Sequence, residues 1–383
     1  MSYLFPVYSK WEVEPISAEG SRLIDKSGNN YLDFTSGIGV CNLGHRPANV
    51  QKAIENQLNS FWHVSNLFIQ SKQDEAAKLL AEAAGLDLVF FSNSGAEANE
   101  AGIKLARKAT GRNKIITFSN SFHGRTFAAM SATGQKKIQT GFGPLLQTFK
   151  HVSFNDLAGL TEELDEDTAA VMLEIVQGEG GIHIAAKEFL KELQNLCQSN
   201  GTLLIVDEIQ TGMGRTGKPF AYQHFDLTPD IVTVAKGLGS GLPIGAVIGS
   251  KKLEEAFGPG SHGSTFGGNP ISVTAATVTM QTIFEPGFLK EVMEKADYLK
   301  NSLKELLSNP FVADVRQLGL MAGIELRKEA APILAQLREK GLLLLPAGEN
   351  VIRILPPLTA TYEQIDEAMY IVKAVLNEVH AKV

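Results

Sequence analysis

Short apolar runs closed by turn residues recur through the middle of the chain, with helical spacing between them. Residues 88–91, 114–118, 169–175, 203–206 and 231–234 each read as a buried strand. The run at 203–206 follows the turn signal Asn200-Gly201, and another strand is expected at 244–248 after Leu242-Pro243. Residues 47–58, 74–84 (ended by Gly85), the stretch following Ser92 through Lys108, and 187–200 carry helical spacing. Strands alternating with helices from about residue 88 to 235 predict an α/β fold with a doubly wound, mostly parallel sheet. The ends of the chain differ in character. Residues 1–35 are strand-like pieces broken by Pro15, Gly20 and Gly28-Asn29, and 35–45 is loop-like. Residues 270–308 are helical apart from Pro286-Gly287. The tail then reads as paired strands at 312–325, a helix at 331–340, strands at 342–345 and 351–355, and a last helix at 362–379, a separate α+β unit.

Two of the central strands end by presenting one ionisable residue each, Asp207 and Lys236. In open parallel sheets, ligands sit beyond the carboxyl ends of the strands. An acid and an amine delivered there together suit pyridoxal phosphate (PLP), whose aldehyde a lysine holds as a Schiff base and whose pyridinium nitrogen pairs with an acid. An ordinary buried ion pair is the plainer reading of such residues. A nucleotide triphosphatase is a third, because LLIVDE resembles a Walker B strand and Gly212-Met-Gly-Arg-Thr-Gly217-Lys218 has phosphate-loop spacing. That match fails at Pro219, where the loop needs a Ser or Thr hydroxyl for magnesium. Pro219 also removes a backbone N–H, and residues 207–211 separate the loop from its strand.

Further candidates stand at other strand ends. Ser92-Asn-Ser-Gly95-Ala96-Glu opens a helix, and free N–H groups with the helix dipole make such a start an anion site; a simple N-cap by Asn93 or Ser94 is compatible with it. Ser121-Phe122-His123-Gly-Arg125 offers an aromatic ring that could stack on a planar group and a guanidinium that could grip a carboxylate. Taken alone, Arg125 reads as a solvated surface residue and His123 as a structural histidine. Val176-Gln-Gly-Glu179-Gly-Gly and the hydroxyl-bearing loop Ser261-His-Gly-Ser264-Thr265-Phe-Gly-Gly complete the set. Motif after motif falling at a strand's C-terminal end says more than any one of them.

Composition narrows the picture little. The 383 residues carry a net charge of −7, with no basic footprint for nucleic acid. The two cysteines, Cys41 and Cys197, form no metal or disulfide pattern, which suits a reducing cytosol. The first residues lack the apolar core and cleavage site of a signal peptide, and no apolar run approaches the ~20 residues of a membrane span.

Together the pieces FSNSGAEANEAGIKLAR, SFHGRTFAAMSATGQ, VQGEGG, LLIVDEIQTGMGRTG, VAKGLGSGLPIGAV and HGSTFGGNP resemble the class III (fold type I) PLP-dependent aminotransferases, over nearly the whole chain. The resemblance implies a large PLP-binding domain of residues 47–287, a small domain built from 1–46 and 288–383, and a cytosolic homodimer. It implies that Lys236 holds the cofactor and shuttles a proton, and that Asp207 pairs with the ring nitrogen. Gln210 would bond near the ring hydroxyl, Gly95 and Ala96 would bind the phosphate, Phe122 would stack on the ring, and Thr265 would reach a phosphate, usually the partner's. Arg125 and Ser264 would contact substrate, Arg353 would take the α-carboxylate of glutamate, and Glu179 would pair with Arg353 when that carboxylate is absent. No metal is implied. Within the class, HGRTFAAMSATGQ…GFGPL and HGSTFGGNP are most similar to members that move the terminal amine of acetylornithine to 2-oxoglutarate. Ornithine-specific members carry a tyrosine where this chain has Ile38, which argues against free ornithine; the alternatives within the class are 4-aminobutyrate, ornithine and succinylornithine. A non-catalytic PLP-fold binding protein is disfavoured by Lys236 and Asp207 standing together.

Overall fold

The computed structural model describes residues 3–380. Among them, a seven-stranded sheet runs through the middle of the molecule, from β1 (Leu88–Ser92), β2 (Lys114–Phe118), β3 (Phe149–Val152), β4 (Thr168–Leu173), β5 (Leu203–Asp207), β6 (Ile231–Val234) and β7 (Gly245–Gly249). Their order across the sheet is β1-β7-β6-β5-β4-β2-β3. β5 is parallel to β4 and β6, and β2 is parallel to β3 and β4. β7 runs antiparallel to both of its neighbours. The connection from β6 to β7 contains only a short 3-10 turn, Lys236–Leu238, and a parallel return needs a crossover of a dozen residues or more.

The apolar runs are continuous because both faces are covered. Ile115, Met172, Ile205, Ile231 and Val247 pack with Ile103, Leu105 and Ala106 of the helix Gly95–Thr110. Their neighbours in alternation, Ile116, Val171, Leu204, Val206 and Val232, pack with Leu190, Leu193 and Cys197 of the helix Lys187–Asn200. β3 escaped the sequence reading because it is an edge strand, Phe-Lys-His-Val, whose two central side chains face solvent.

Two smaller sheets lie outside the central one. The antiparallel strands Pro15–Glu19, Arg22–Asp25 and Asn30–Asp33 are extended by Leu342–Leu343, which pairs in parallel with Asn30–Asp33 and so ties the two ends of the chain together. Val312–Leu318, Met321–Leu326, Val351–Ile354 and Leu345–Pro346 form a second, antiparallel sheet, in which Gly323 lies opposite Arg353. No helix among the described residues is long and apolar enough to cross a membrane.

The stretch expected as a loop at 35–45 contains a left-handed turn. Ser36, Gly37, Ile38 and Gly39 have φ of 47°, 62°, 65° and 73°. A β-branched residue in that region is strained, and the surroundings impose it. Asp33 accepts from Thr35 N (2.9 Å), Thr35 Oγ1 (2.6 Å) and His45 Nε2 (2.8 Å), closing the stretch at both ends. Ser36 Oγ donates to Leu355 O at 2.6 Å.

Candidate active site

A cavity of about 450 Å³ opens at the C-terminal ends of the parallel strands. Its lining includes Gly95, Ala96, Phe122, Arg125, Asp207, Gln210 and Lys236. Each is delivered by the backbone that leaves a strand: Gly95 after β1, Phe122 after β2, Asp207 as the last residue of β5 and Lys236 two residues beyond β6. Lys236 itself has φ of 44°, a cost of order 1–3 kcal/mol for a residue with a side chain, of the kind that clusters at functional sites.

Asp207 is held from three directions. Oδ1 accepts from Ile209 N at 3.0 Å; Oδ2 accepts from Asn99 Nδ2 at 2.8 Å and lies 2.7 Å from His123 Nδ1. Thr233 Oγ1 fixes Asn99 in turn, donating to its Oδ1 at 2.7 Å. His123 is thus the neighbour of Asp207, a placement its sequence position did not reveal. Burial disfavours its charged form, but the hydrogen bond and charge of Asp207 outweigh this and raise its pKa above the ordinary value. Glu174, just past β4, accepts from Phe122 N at 3.0 Å and so fixes the backbone that presents the ring. Burial lifts its carboxyl to about 7.

Burial also pulls the Lys236 ammonium below the ordinary lysine range; Arg353 pulls the same way, while Glu179 and Asp207 oppose. The helix Gly95–Thr110 starts at the cavity. Ser94 caps it, accepting from Glu97 N at 3.2 Å, so the expected N-cap is present. Gly95 presses on Ile209 so closely that a Cβ there would meet its side chain at 2.8 Å.

These residues fit PLP. The cavity offers a helix N-terminus for a phosphate, Phe122 and Ile209 for a ring, Asp207 for a protonated ring nitrogen and Lys236 for an aldehyde.

Beside Gln210 stands a closed ion pair. Arg353 is 2% exposed. Its Nη1 donates to Glu179 Oε1 (2.6 Å), Gly178 O (2.7 Å) and Gln210 Oε1 (2.9 Å), and Nη2 reaches Glu179 Oε2 at 3.3 Å. Burial raises the Glu179 carboxyl, but Arg353 wins and holds it below its ordinary value. Arg125 is exposed at the rim, 5.7 Å from the centre of the Phe122 ring. Ser264 and Thr265 do not line this cavity. Ser264 Oγ accepts from Asn93 Nδ2 at 3.1 Å, and Thr265 is exposed. Val40, from the strained stretch, lines the cavity, whereas Ile38 of the same turn is 45% exposed and does not. The loop with phosphate-loop spacing does not reach the cavity: Arg215 at its centre is entirely buried.

A family model described as "Aminotransferase class-III" matches residues 7–376. The acetylornithine aminotransferase of Bacillus subtilis (strain 168) is 56% identical over 370 residues, which cover 96% of each chain. Among solved structures, the N-acetylornithine aminotransferase of Stenotrophomonas maltophilia K279a superposes with a TM-score of 0.86 at 34% identity, with 98% of each chain covered. An ornithine aminotransferase of Toxoplasma gondii, described with partial occupancy of PLP at its active site, superposes with a TM-score of 0.94 at 31% identity, covering 99% of this chain and 93% of its own.

Proposed function

The chain belongs to the class III aminotransferases, and on that premise we propose that it moves the terminal amino group of N2-acetyl-L-ornithine to 2-oxoglutarate. The products are N-acetyl-L-glutamate 5-semialdehyde and L-glutamate, a step of arginine biosynthesis and the reaction for which its relative from Bacillus subtilis is named. The cofactor is PLP, which when bound supplies an electron sink for the charge left when a proton departs from the reacting carbon.

The protein's part is to hold groups and move a proton. Lys236 Nζ, whose charged form burial disfavours, is the amine that would take the cofactor and carry the proton. Asp207 is the counter-charge for the ring nitrogen, and Asn99 and His123 fix its orientation. Phe122 would cover one face of the ring, Gly95 and Ala96 would offer backbone to the phosphate, and Gln210 would bond near the ring hydroxyl.

The closed Arg353–Glu179 pair carries the reading that the donor reacts through a terminal amine; the choice of acetylornithine among such donors rests on the relative from Bacillus subtilis. Acetylornithine reacts through its terminal amine, at a carbon bearing no carboxylate, so Arg353 needs an internal partner during that half-reaction. Glutamate brings an α-carboxylate that takes the place of Glu179. Arg125 would receive the distal carboxylate, and Ser264, which lies outside the cavity of its own chain, would reach it only from the second copy.

The reading includes a cytosolic homodimer, with residues 1–46 and 288–383 as a small domain against 47–287. Phe61, Trp62, Leu67, Phe68 and Ile69 are exposed on a segment that Asn66 Nδ2 ties to Ser264 O (3.1 Å) and Gly267 O (3.0 Å). An exposed apolar patch beside Thr265 suits a second copy of the chain whose cavity takes that hydroxyl.

Borohydride reduction of the yellow protein should fix PLP to Lys236, and Lys236→Ala should be inactive. A label on another lysine overturns the site. Acetylornithine should discharge the colour faster than ornithine or 4-aminobutyrate; the reverse order overturns the substrate.

A further inference from the structure

The motif with phosphate-loop spacing contains the largest fully buried side chain among the described residues, Arg215, at 0% exposure. No carboxylate among the described residues bonds to it. Its guanidinium donates only to neutral acceptors: Nη1 to Pro356 O (2.6 Å) and Leu320 O (3.0 Å), Nη2 to Asn42 Oδ1 (2.8 Å). Nε has no partner among the described residues. Burying a charge without an ion partner is costly, and an apolar side chain would fill the same space at less cost. What the cation provides is direction, because its planar fork fixes several carbonyls relative to one another.

Those acceptors belong to the walls of the active site. Pro356 lies three residues past Arg353, where the strand Val351–Ile354 leaves its sheet. Leu320 is in the turn between Val312–Leu318 and Met321–Leu326, and the latter strand pairs with that of Arg353. Leu320 N donates back to Arg215 O at 2.9 Å. In that turn Gly319, with φ of 60°, presses so closely on the Thr216 backbone that a Cβ would fall 2.3 Å from it. Asn42 lies two residues past the cavity-lining Val40. It donates to Met213 O at 2.9 Å, and its backbone carbonyl accepts from Leu358 N at 2.8 Å. Its amide also packs on the turn that follows Lys236, since a Cβ on Gly237 would stand 2.4 Å from Asn42 Nδ2. One side chain therefore bonds the segment bearing Val40 and, through Leu320 and Pro356, two adjacent strands at one end of the sheet bearing Arg353, and braces the Lys236 turn through Asn42.

We propose that Arg215, through Asn42, Leu320 and Pro356, is a positioning residue that sets the separation between Arg353 and Lys236 and thereby selects the dicarboxylate substrate. The inference rests on the reading that Arg353 takes the α-carboxylate of glutamate. Acetylornithine places no carboxylate at Arg353, so its half-reaction is the internal control. A purely structural role would lower both half-reactions together.

The test uses Arg215→Lys, which keeps the charge but loses the fork, and Asn42→Ser, which removes the Arg215 acceptor together with the donor to Met213 O and the amide braced on the Lys236 turn, and leaves Leu320 and Pro356 in place. Both are read in the PLP-loaded enzyme by single-turnover kinetics with glutamate and with acetylornithine, and by calorimetric binding of glutarate, an unreactive dicarboxylate. The expected result is on the order of tenfold weaker glutarate binding and a tenfold higher apparent dissociation constant for glutamate, as loss of one charge-assisted hydrogen bond implies, with acetylornithine changed less than about twofold. Equal losses with both donors, or unchanged glutarate binding, overturn the proposal. Should Arg215→Lys fail to fold, Asn42→Ser decides by the same criteria. Arg353→Gln is run beside them: if it does not lose glutamate selectively, the reading of Arg353 fails, whereas a selective loss there with uniform losses at Arg215 and Asn42 sinks the positioning role alone.

Discussion

Arg353 is the residue whose surroundings change most between the two halves of the proposed reaction. It is buried and charged, and Glu179 is its carboxylate partner. Removing one member of a buried pair costs on the order of 3–5 kcal/mol. Glu179→Ala should therefore slow the acetylornithine half-reaction by about 10²-fold, if about 3 kcal/mol of that is lost in the transition state. Glutamate brings its own carboxylate to Arg353, so its half-reaction should suffer less or gain. Single-turnover measurements with each donor separate the two, and equal losses would make Glu179 a structural residue only. Glu179 also raises the pKa of Lys236. The variant's Lys236 should accordingly titrate lower than that of the parent.

Among the elements, the strained turn Ser36–Gly39 sits in a stretch closed by an ion pair. Asp33 and His45 close the stretch around it, and the hydrogen bond to Asp33, helped by Cys41, raises His45 from 6.5 to about 10. A group whose folded pKa lies above its unfolded one adds stability that is complete below the unfolded pKa and lost as pH rises through the folded one. The stability that His45 adds is thus full below about pH 6.5 and gone above about pH 10. The ring is half-buried, so solvent screening leaves a contribution on the order of 1 kcal/mol, or about 1–2 °C in Tm for a chain this long. His45→Gln should melt below the parent by that amount at pH 6, and the gap should close toward pH 10. A constant gap across that range would show that packing, not charge, holds the stretch.

At the scale of the whole molecule, Ser264 and Thr265 stand apart from the cavity of their own chain, beside the exposed segment carrying Trp62, Leu67 and Phe68. In the proposed dimer this loop completes the partner's phosphate site. Thr265→Ala should weaken PLP retention about tenfold, the worth of one hydrogen bond to a charged group. Diluting the parent protein until it dissociates should release PLP in step with the loss of dimer, followed by sedimentation and cofactor absorbance together. A stable monomer that keeps its cofactor would contradict the shared site.

Much of the frame was legible in the residues alone, because each buried strand is a continuous apolar run and the residue after such a run is carried to the strand's end by the backbone. Asp207 and Lys236 could be placed at one rim of the sheet for that reason, and Gly95 at a helix start for the same one. The edge strand Phe149–Val152 was not legible, since it alternates weakly, whereas the reversed direction of Gly245–Gly249 follows from a connection too short for a parallel crossover, a signal the expected mostly parallel sheet left unused. Side-chain partners far apart in sequence were hidden more deeply. His123 on Asp207, Glu174 under Phe122, and Arg215 among Asn42, Leu320 and Pro356 meet only after the helices have packed on both faces and the chain ends have closed on each other. Periodicity along a chain reports which face of an element is buried. Which polar group it meets there is decided by the tertiary packing, because a buried donor must find an acceptor wherever the fold has put one.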